Sequence, residues 1–266
     1  MDVLLLDPRI AAVGLVVGIM VGLSGVGGGS LVTPLLVLAL GMKPALAVGT
    51  DLVYSVPTKI LGAFVHHRQG TVDWRVVRSL VAGGVPAAIL GLATLKVAQV
   101  HLGIDAVNTV LRHGLGVMLL LVSLTIVLRP LLTRRIQQPE DDLQGDAELA
   151  SHMWRLVILG AVVGFLVSLT SIGSGSLTVP LLYFLVPQLG LRRLVGADVA
   201  FAAILVPVAA TGHYQMGQVD LRLAGNLVLG SLPGVVIGSR LCALVPEALF
   251  RPALAGVLIF AGSKLI

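Results

Sequence analysis

Residues 24–30 read Ser-Gly-Val-Gly-Gly-Gly-Ser and interrupt an otherwise apolar run from Ile10 to Leu40. Three consecutive glycines do not hold a stable helix, because each costs about 1 kcal/mol relative to alanine. In hydrocarbon the freed backbone groups would lack hydrogen-bond partners, so broken backbone is tolerated only against protein or a water-filled cavity. The stretch therefore predicts a broken or re-entrant helix.

A second interruption, Thr-Ser-Ile-Gly-Ser-Gly-Ser at 170–176, lies in the apolar run from Leu156 to Val186. Both interruptions lead into similar segments, Ser-Leu-Val-Thr-Pro-Leu-Leu at 30–36 and Ser-Leu-Thr-Val-Pro-Leu-Leu at 176–182. Paired interruptions at corresponding positions of two halves indicate the binding site of a transporter.

The composition indicates an all-α polytopic membrane protein. Of 266 residues, 56% are hydrophobic and 12% are charged, whereas a soluble domain carries about 25% charged residues. Cytoplasmic Lys and Arg explain the net charge of +5 better than a nucleic-acid partner does. No enzyme signature and no metal-ligand spacing of His, Cys and carboxylates is present, so we predict no catalytic residue, metal or cofactor.

Ten apolar segments form two sets of five. The third to fifth segments of each set reach the roughly 20 residues that a full crossing needs, while the first two are short and joined by a Gly/Ser loop. We predict a first transmembrane repeat at 1–132, a flexible polar cytoplasmic linker at 133–152 and a second repeat at 153–266. The segments lie near 10–23, 31–41, 45–64, 76–98, 104–128, 153–169, 177–189, 194–212, 223–245 and 247–266.

The two halves repeat in sequence. A shift of 147 residues aligns 66–91 with 213–238, and ten of those 26 positions are identical. An odd number of crossings per half would make the repeats antiparallel, with inverted topology. That arrangement places eleven Lys and Arg residues on the linker's face and six on the other, so the positive-inside rule predicts a cytoplasmic linker.

The Gly/Ser loops are the first candidate site. Helix N-termini inside the membrane present free N–H groups and partial positive charge to an anion, and the hydroxyls add donors. The alternative is that the glycines only allow close helix packing. The candidate substrate-binding residues are Ser24, Gly27, Gly28, Gly29, Ser30, Lys59, Thr170, Ser171, Gly173, Ser174, Gly175 and Ser176.

Five ionisable residues near or within the spans admit two interpretations each. Asp51 and Asp198 are either helix N-caps or proton carriers. Lys59 either attracts an anion or extends to the membrane surface, and its aligned residue is the neutral Val206. His66 and His213 end the third span of each half and are either structural or part of a proton relay, while Asp73 and Asp220 fit N-caps of the next span.

The motifs together resemble the TauE/SafE sulfite exporter family. They are Gly-Val-Gly-Gly-Gly-Ser at 25–30 with Pro-Leu-Leu at 34–36, Gly-Thr-Asp at 49–51, and His66-x-x-x-Gly70-x-Val-Asp-Trp-Arg75, with second-half counterparts. The resemblance implies a multi-pass permease of a prokaryotic-type inner membrane. It also implies secondary transport of sulfite, sulfoacetate, related sulfonates or other small organic anions.

These observations lead us to expect a secondary transporter of small anions built from two inverted repeats. One half would rock against the other in alternating access, driven by a proton or by the membrane potential. A passive anion channel and a non-transporting membrane assembly factor are the alternatives. The expected partners are the anion and the lipid bilayer, and no residue pattern indicates an oligomeric state.

Overall fold

The computed structural model describes residues 8–24, 29–133, 145–242 and 247–266, and all regular structure in these ranges is helical. The predicted all-α class is confirmed. The helices are α1 Pro8–Ser24, α2 Gly29–Leu38, α3 Pro44–Arg68, α4 Trp74–Leu102, α5 Ile104–Thr133, α6 Gly145–Thr170, α7 Thr178–Leu185, α8 Gly190–Gln215, α9 Leu221–Cys242 and α10 Glu247–Leu265, with a 3₁₀ turn at Pro187–Leu189.

Five helical segments among the described residues are long and apolar enough to cross a membrane. They lie at Trp74–Leu102, Ile104–Val127, Met153–Thr170, Pro187–Gln215 and Leu221–Gly238. The expectation of a short first segment in the second half is wrong, because α6 is a continuous helix of 26 residues that begins at Gly145, inside the predicted linker. The rest of that linker, 134–144, lies outside the described residues.

The two short segments are short helices, as predicted. Helix α2 has 10 residues and α7 has 8, so at 1.5 Å per residue they extend only about 15 and 12 Å. Neither covers the roughly 30 Å hydrocarbon core alone. Helix α7 follows a break after the longer α6, and each short helix contains one proline, Pro34 or Pro180.

Glycines set the closest helix–helix contacts. Gly14 and Gly18 of α1 lie against Leu227 and Ser231 of α9, so a Cβ on Gly14 would come within 2.8 Å of the Leu227 carbonyl oxygen. Because the contacting residues advance in the same direction along both helices, α1 and α9 run parallel. Small residues allow such close approach within a membrane.

The pair α4 and α6 repeats this arrangement. Gly160 lies against the backbone of Leu80, and Gly164 lies against the backbone of Gly84. These contacts also advance together, so α4 and α6 run parallel. In each case the first helix of one half packs along the fourth helix of the other half.

The central helices α3 and α8 pack against each other in opposite directions. Gly49, near the start of α3, touches the backbone of Gln218, which lies beyond the end of α8. Gly196, near the start of α8, touches the backbone of Thr71, beyond the end of α3. The fifth helices of the halves, α5 and α10, also pack together.

The predicted turns and caps after α3 and α8 are confirmed. The Asp73 carboxylate accepts from the Arg75 N–H at 2.9 Å, and the Asp220 carboxylate accepts from the Leu223 N–H at 2.9 Å. Gly70 and Gly217 have φ angles of 66° and 71°, which favour glycine. The two turns are therefore built alike, as the repeated His-Gly-Asp spacing indicates.

Candidate functional site

The second Gly/Ser loop, Ser171–Leu177, is a tight turn between α6 and α7. Ser171, Gly173 and Gly175 all have positive φ angles, at 58°, 149° and 82°. The N–H groups of Leu177 and Thr178 both donate to the Gly173 carbonyl, at 2.9 and 3.1 Å. The glycines therefore serve the backbone path of the loop, which a side chain at Gly173 or Gly175 would strain.

Much of the first Gly/Ser loop is outside the described residues. Gly27, Gly28 and the side chain of Ser24 fall there. The described part begins with Gly29, the first residue of α2, and Ser30 follows it as a buried residue. Ser30 lines a mostly apolar cavity of about 140 Å³ between α1, α2 and α10.

Lys59 points into the protein rather than toward a membrane surface. Its Nζ donates to the Ser174 hydroxyl at 3.2 Å, which joins α3 of the first half to the loop of the second half. The residue is half-buried and lies about 13 Å along the helix from the end of α3. This inward contact does not fit the snorkelling interpretation of Lys59, and its attraction of an anion stays a prediction.

Asp198 lies on α8 beside the same loop and is 1% exposed. The Gly175 N–H, the Ser174 hydroxyl and the Lys59 ammonium act on its carboxyl, and Thr178 lies beside it while donating its own hydroxyl proton to the Gly173 carbonyl at 3.1 Å. No direct ion pair joins Lys59 and Asp198. Oδ1 of Asp198 has no hydrogen-bond partner among the described residues.

Asp51 lies on α3 in a more fully bonded setting. The Thr33 hydroxyl of α2 donates to Oδ2 at 2.6 Å, and the Ser55 hydroxyl donates to Oδ1 at 3.5 Å. Ser171 of the second loop also reaches this carboxyl. The short helix of one half and the loop of the other therefore meet at Asp51.

The helix-cap interpretation of Asp51 and Asp198 is wrong. Helix α3 begins at Pro44 and α8 begins at Gly190, so both carboxyls lie in the third turn of a continuous helix. A carboxyl in that position cannot accept from the free N–H groups of the first turn. Both are therefore buried acids in the interior of a helix, and acids of this kind within membranes include proton carriers.

Of the remaining candidates, His66, His213 and Thr170 form their hydrogen bonds outside this group, whereas Ser176 belongs to the second loop itself. The His66 ring pairs with the Thr71 hydroxyl at 2.8 Å in the turn after α3, and His213 Nε2 donates to the Ser168 carbonyl at 2.8 Å. The Thr170 hydroxyl closes the end of α6 by donating to the Leu166 carbonyl. The Ser176 hydroxyl is buried and has no partner among the described residues.

The sequence reasoning assigned no role to Thr33, Ser55 or Thr178. Thr33 and Ser55 hold Asp51, and Thr178 lies beside Asp198. A signal was present in the sequence: each short apolar segment carries a threonine one or two residues before its proline. A hydroxyl in so apolar a segment needs a hydrogen-bond partner, and the nearest intramembrane acid of the same half is a suitable one.

Taken together, the cluster offers one ammonium, a backbone N–H and several hydroxyls to a small ligand. We call Lys59, Ser171, Ser174, Gly175, Ser176 and Asp198 the central cluster. Its donors suit an oxyanion, since ammonium and hydroxyl groups form charge-assisted or neutral hydrogen bonds with its oxygens.

The chain matches the sequence model of one protein family along almost its whole length. The model for "Sulfite exporter TauE/SafE" matches residues 10–265. The chain belongs to the TauE/SafE family. The resemblance predicted from the motifs is therefore confirmed over almost the whole chain.

Several TauE/SafE relatives are described as transporters. The "Probable membrane transporter protein YjnA" of Bacillus subtilis (strain 168) is 38% identical over 257 residues, covering 97% of this chain and 98% of the relative. YdhB of the same organism, which has the same description, is 27% identical, and the alignment covers 91% of this chain and 95% of YdhB. No solved structure matches the chain. The family and its relatives indicate a multi-pass membrane transporter.

Proposed function

We propose that this TauE/SafE protein is a secondary transporter of small anions, with sulfite, organosulfonates and related organic anions as its substrate class. The observation that carries the proposal is the contact between the Lys59 ammonium and the Ser174 hydroxyl. The contact brings a cation of one half beside the loop that precedes α7 in the other half. An intramembrane cation is costly unless a partner or an anion compensates it.

The donor set fits a tetrahedral or pyramidal oxyanion. The ammonium of Lys59 has three N–H donors and uses one in its hydrogen bond to Ser174, so two stay available to a ligand. Ser176 adds a buried hydroxyl that has no hydrogen-bond partner in the part of the chain that the structure describes. A sulfonate or sulfite group presents three oxygens, and each can accept from a different member of the cluster.

Two inverted repeats, at 1–132 and 153–266, form the proposed architecture. The relative directions of three helix pairs support it. Helix α3 is antiparallel to its counterpart α8, while α1 is parallel to α9 and α4 is parallel to α6. With α8 parallel to α4, through the contacts Gly84–Phe201 and Leu92–Gly212, every described pair fits halves of opposite orientation. Such repeats commonly place the substrate between them and expose it alternately to the two sides.

Purified protein in proteoliposomes tests the function. We expect saturable uptake of sulfite and of simple sulfonates that depends on a pH gradient or on membrane potential, with weaker uptake of sulfate and simple carboxylates. Flux that rises linearly with anion concentration would instead identify a channel. Absence of flux and of thermal stabilisation by every anion would contradict transport and favour an assembly role.

A further inference from the structure

Asp198 has an unusual environment for a buried carboxyl. It is 1% exposed, yet its Oδ1 has no hydrogen-bond partner among the described residues. The nearest cation, Lys59, donates to Ser174 instead of pairing directly with it. A buried acid therefore stands beside an ammonium without being neutralised by direct contact.

Ser174 connects the two groups. Its oxygen accepts from Lys59 at 3.2 Å, which leaves its own proton free to point toward the Asp198 carboxyl. The Gly175 N–H approaches the same carboxyl. The donors that suit an anionic substrate are therefore the same donors that face Asp198.

We propose that the Asp198 carboxylate and the substrate anion compete for Lys59 and the 174–175 loop, so that each singly charged anion binds together with one proton on Asp198. This inference rests on the proposed function and specifies its coupling. The proton comes from the aqueous phase, forms one O–H bond on the carboxyl, and leaves on the other side when the anion has left. Lys59 stays an ammonium throughout, and no other bond changes.

Charge balance requires this coupling. With the site empty, the carboxylate and the ammonium offset each other across Ser174. A bound anion would take the ammonium and leave the buried carboxylate uncompensated, which is strongly unfavourable in a low-dielectric interior. Protonation of Asp198 removes that penalty, and the positive charge of Lys59 then serves the anion alone.

Among the described side chains of the neighbouring helices, no other charged group can replace Lys59 for Asp198. The charged residues of α4, namely Arg75, Arg78 and Lys96, are exposed, as is Arg155 of α6. On α8 itself, Arg192 and Arg193 are exposed and His213 lies near the opposite end of the helix. Helix α7 carries no charged residue, and α3 carries, besides Lys59, the acid Asp51 and the exposed Arg68 at its end.

Asp51 is the matched contrast. The Lys59 ammonium acts on Asp51 as well, but both oxygens of this acid accept hydrogen bonds, from Thr33 and Ser55, and Ser171 adds a third hydroxyl. Where Asp198 has Lys59 as a neighbour from the other half, the residue aligned with Lys59 in the second half is the buried Val206. The proton switch is thus asymmetric: Asp198 exchanges a proton, and Asp51 holds α2 on α3.

The test is proton uptake on anion binding by the full-length purified protein in weak buffer near neutral pH. Methanesulfonate and 2-hydroxyethanesulfonate are the probes, because neither titrates in this range. We expect about one proton taken up per bound anion, and an anion affinity that falls about tenfold per pH unit on the alkaline side. Wild-type protein that binds the probe without proton uptake would overturn the proposal, whatever the variants do.

The variants D198N and D51N then locate the proton. D198N imitates the protonated acid, so we expect it to bind the probe without proton uptake and without pH dependence, while anion exchange persists and pH-driven accumulation is lost. D51N should keep one proton per anion and show a lower Tm. Loss of proton uptake in D51N but not in D198N would contradict the assignment. If the wild type binds neither probe, the proposed substrate class fails together with this coupling.

Discussion

At the scale of single residues, the proposed site predicts that Lys59 contributes to anion affinity. Because Lys59→Met removes the ammonium and keeps the aliphatic length, we expect binding to weaken by about 1.5–3 kcal/mol, the range for a hydrogen bond with a charged group. Anion titration of the purified variant measures this loss. Lys43→Met is the control, since Lys43 is an exposed residue that pairs with Asp105 at 3.8 Å. Unchanged affinity in Lys59→Met would contradict its place in the site.

Ser176 separates a binding role from a packing role. Its buried hydroxyl has no partner among the described residues, so Ser176→Ala should leave Tm unchanged or raise it slightly, because a desolvated hydroxyl is removed. We expect anion affinity to fall by about 1 kcal/mol, the contribution of one neutral hydrogen bond.

Ser123→Ala is the matched control for this test. Ser123 is also buried, but its hydroxyl donates to the Leu120 carbonyl at 2.7 Å within α5. Anion affinity should not change in that variant. If Ser176→Ala binds the anion as tightly as the wild type, the Ser176 hydroxyl does not contact it.

Some residues of the candidate site could be predicted from the sequence and others could not. Lys59 and the second loop were predictable, because an ammonium and a row of glycines are each unfavourable inside a membrane. The position of Asp198 deep inside a helix was not predictable, because the apolar pattern began near residue 194 while α8 begins at Gly190. Arg192 and Arg193 interrupt the hydropathy signal but not the helix, so the acid looked closer to a helix end than it is.

At the scale of helices, the Thr33–Asp51 contact joins α2 to α3. Thr33→Val keeps the shape of the side chain but leaves Oδ2 of Asp51 without this donor, which should cost about 1–3 kcal/mol. Thermal unfolding in detergent would show this as a lower Tm. Thr94→Val is the control, because the Thr94 hydroxyl is exposed and donates only to Leu90 of its own helix. Equal Tm values for the two variants would contradict a role for Thr33 in holding α2.

The glycines of α9 provide a second test at this scale. A Cβ on Gly230 would overlap the Ala11 carbonyl of α1, whereas nothing lies within 4 Å of a Cβ on Gly225 of the same helix. Gly230→Ala should therefore destabilise the protein by about 1–3 kcal/mol through overpacking. Gly225→Ala should be neutral or stabilising, because alanine favours the helix. Equal Tm values would argue against the close α1–α9 contact.

Helix types and most helix positions followed from apolar runs, but helix partners did not. The repeat aligned Gly83 with Gly230 and Gly91 with Gly238, which identified equivalent positions and left their contacts open. Their partners are in the opposite half, on α6 and α1. A glycine spacing specifies a face that accepts a close neighbour and contains no information about which of several similar helices will fill it.

At the scale of the whole molecule, orientation in the membrane can be tested by labelling. With Cys242 replaced by alanine, a single cysteine introduced at 134–144 should react in intact cells only with membrane-permeant thiol reagents, because eleven basic residues favour a cytoplasmic linker. A cysteine at the exposed Val100, near the turn between α4 and α5, should react with impermeant reagents. The reverse pattern would invert the proposed orientation.

The pairing of α1 with α9 also has a consequence in time. Helix α1 ends at Ser24 and α9 begins at Leu221, so 196 residues separate them in the chain. At about 5–20 residues per second, α1 is made roughly 10–40 s before the partner that covers its glycine face. Helix α6, by contrast, emerges when α4 is already present. Helix α1 is therefore made long before its glycine face is covered, and during synthesis the nascent protein depends on lipid or on the insertion machinery to shield that face.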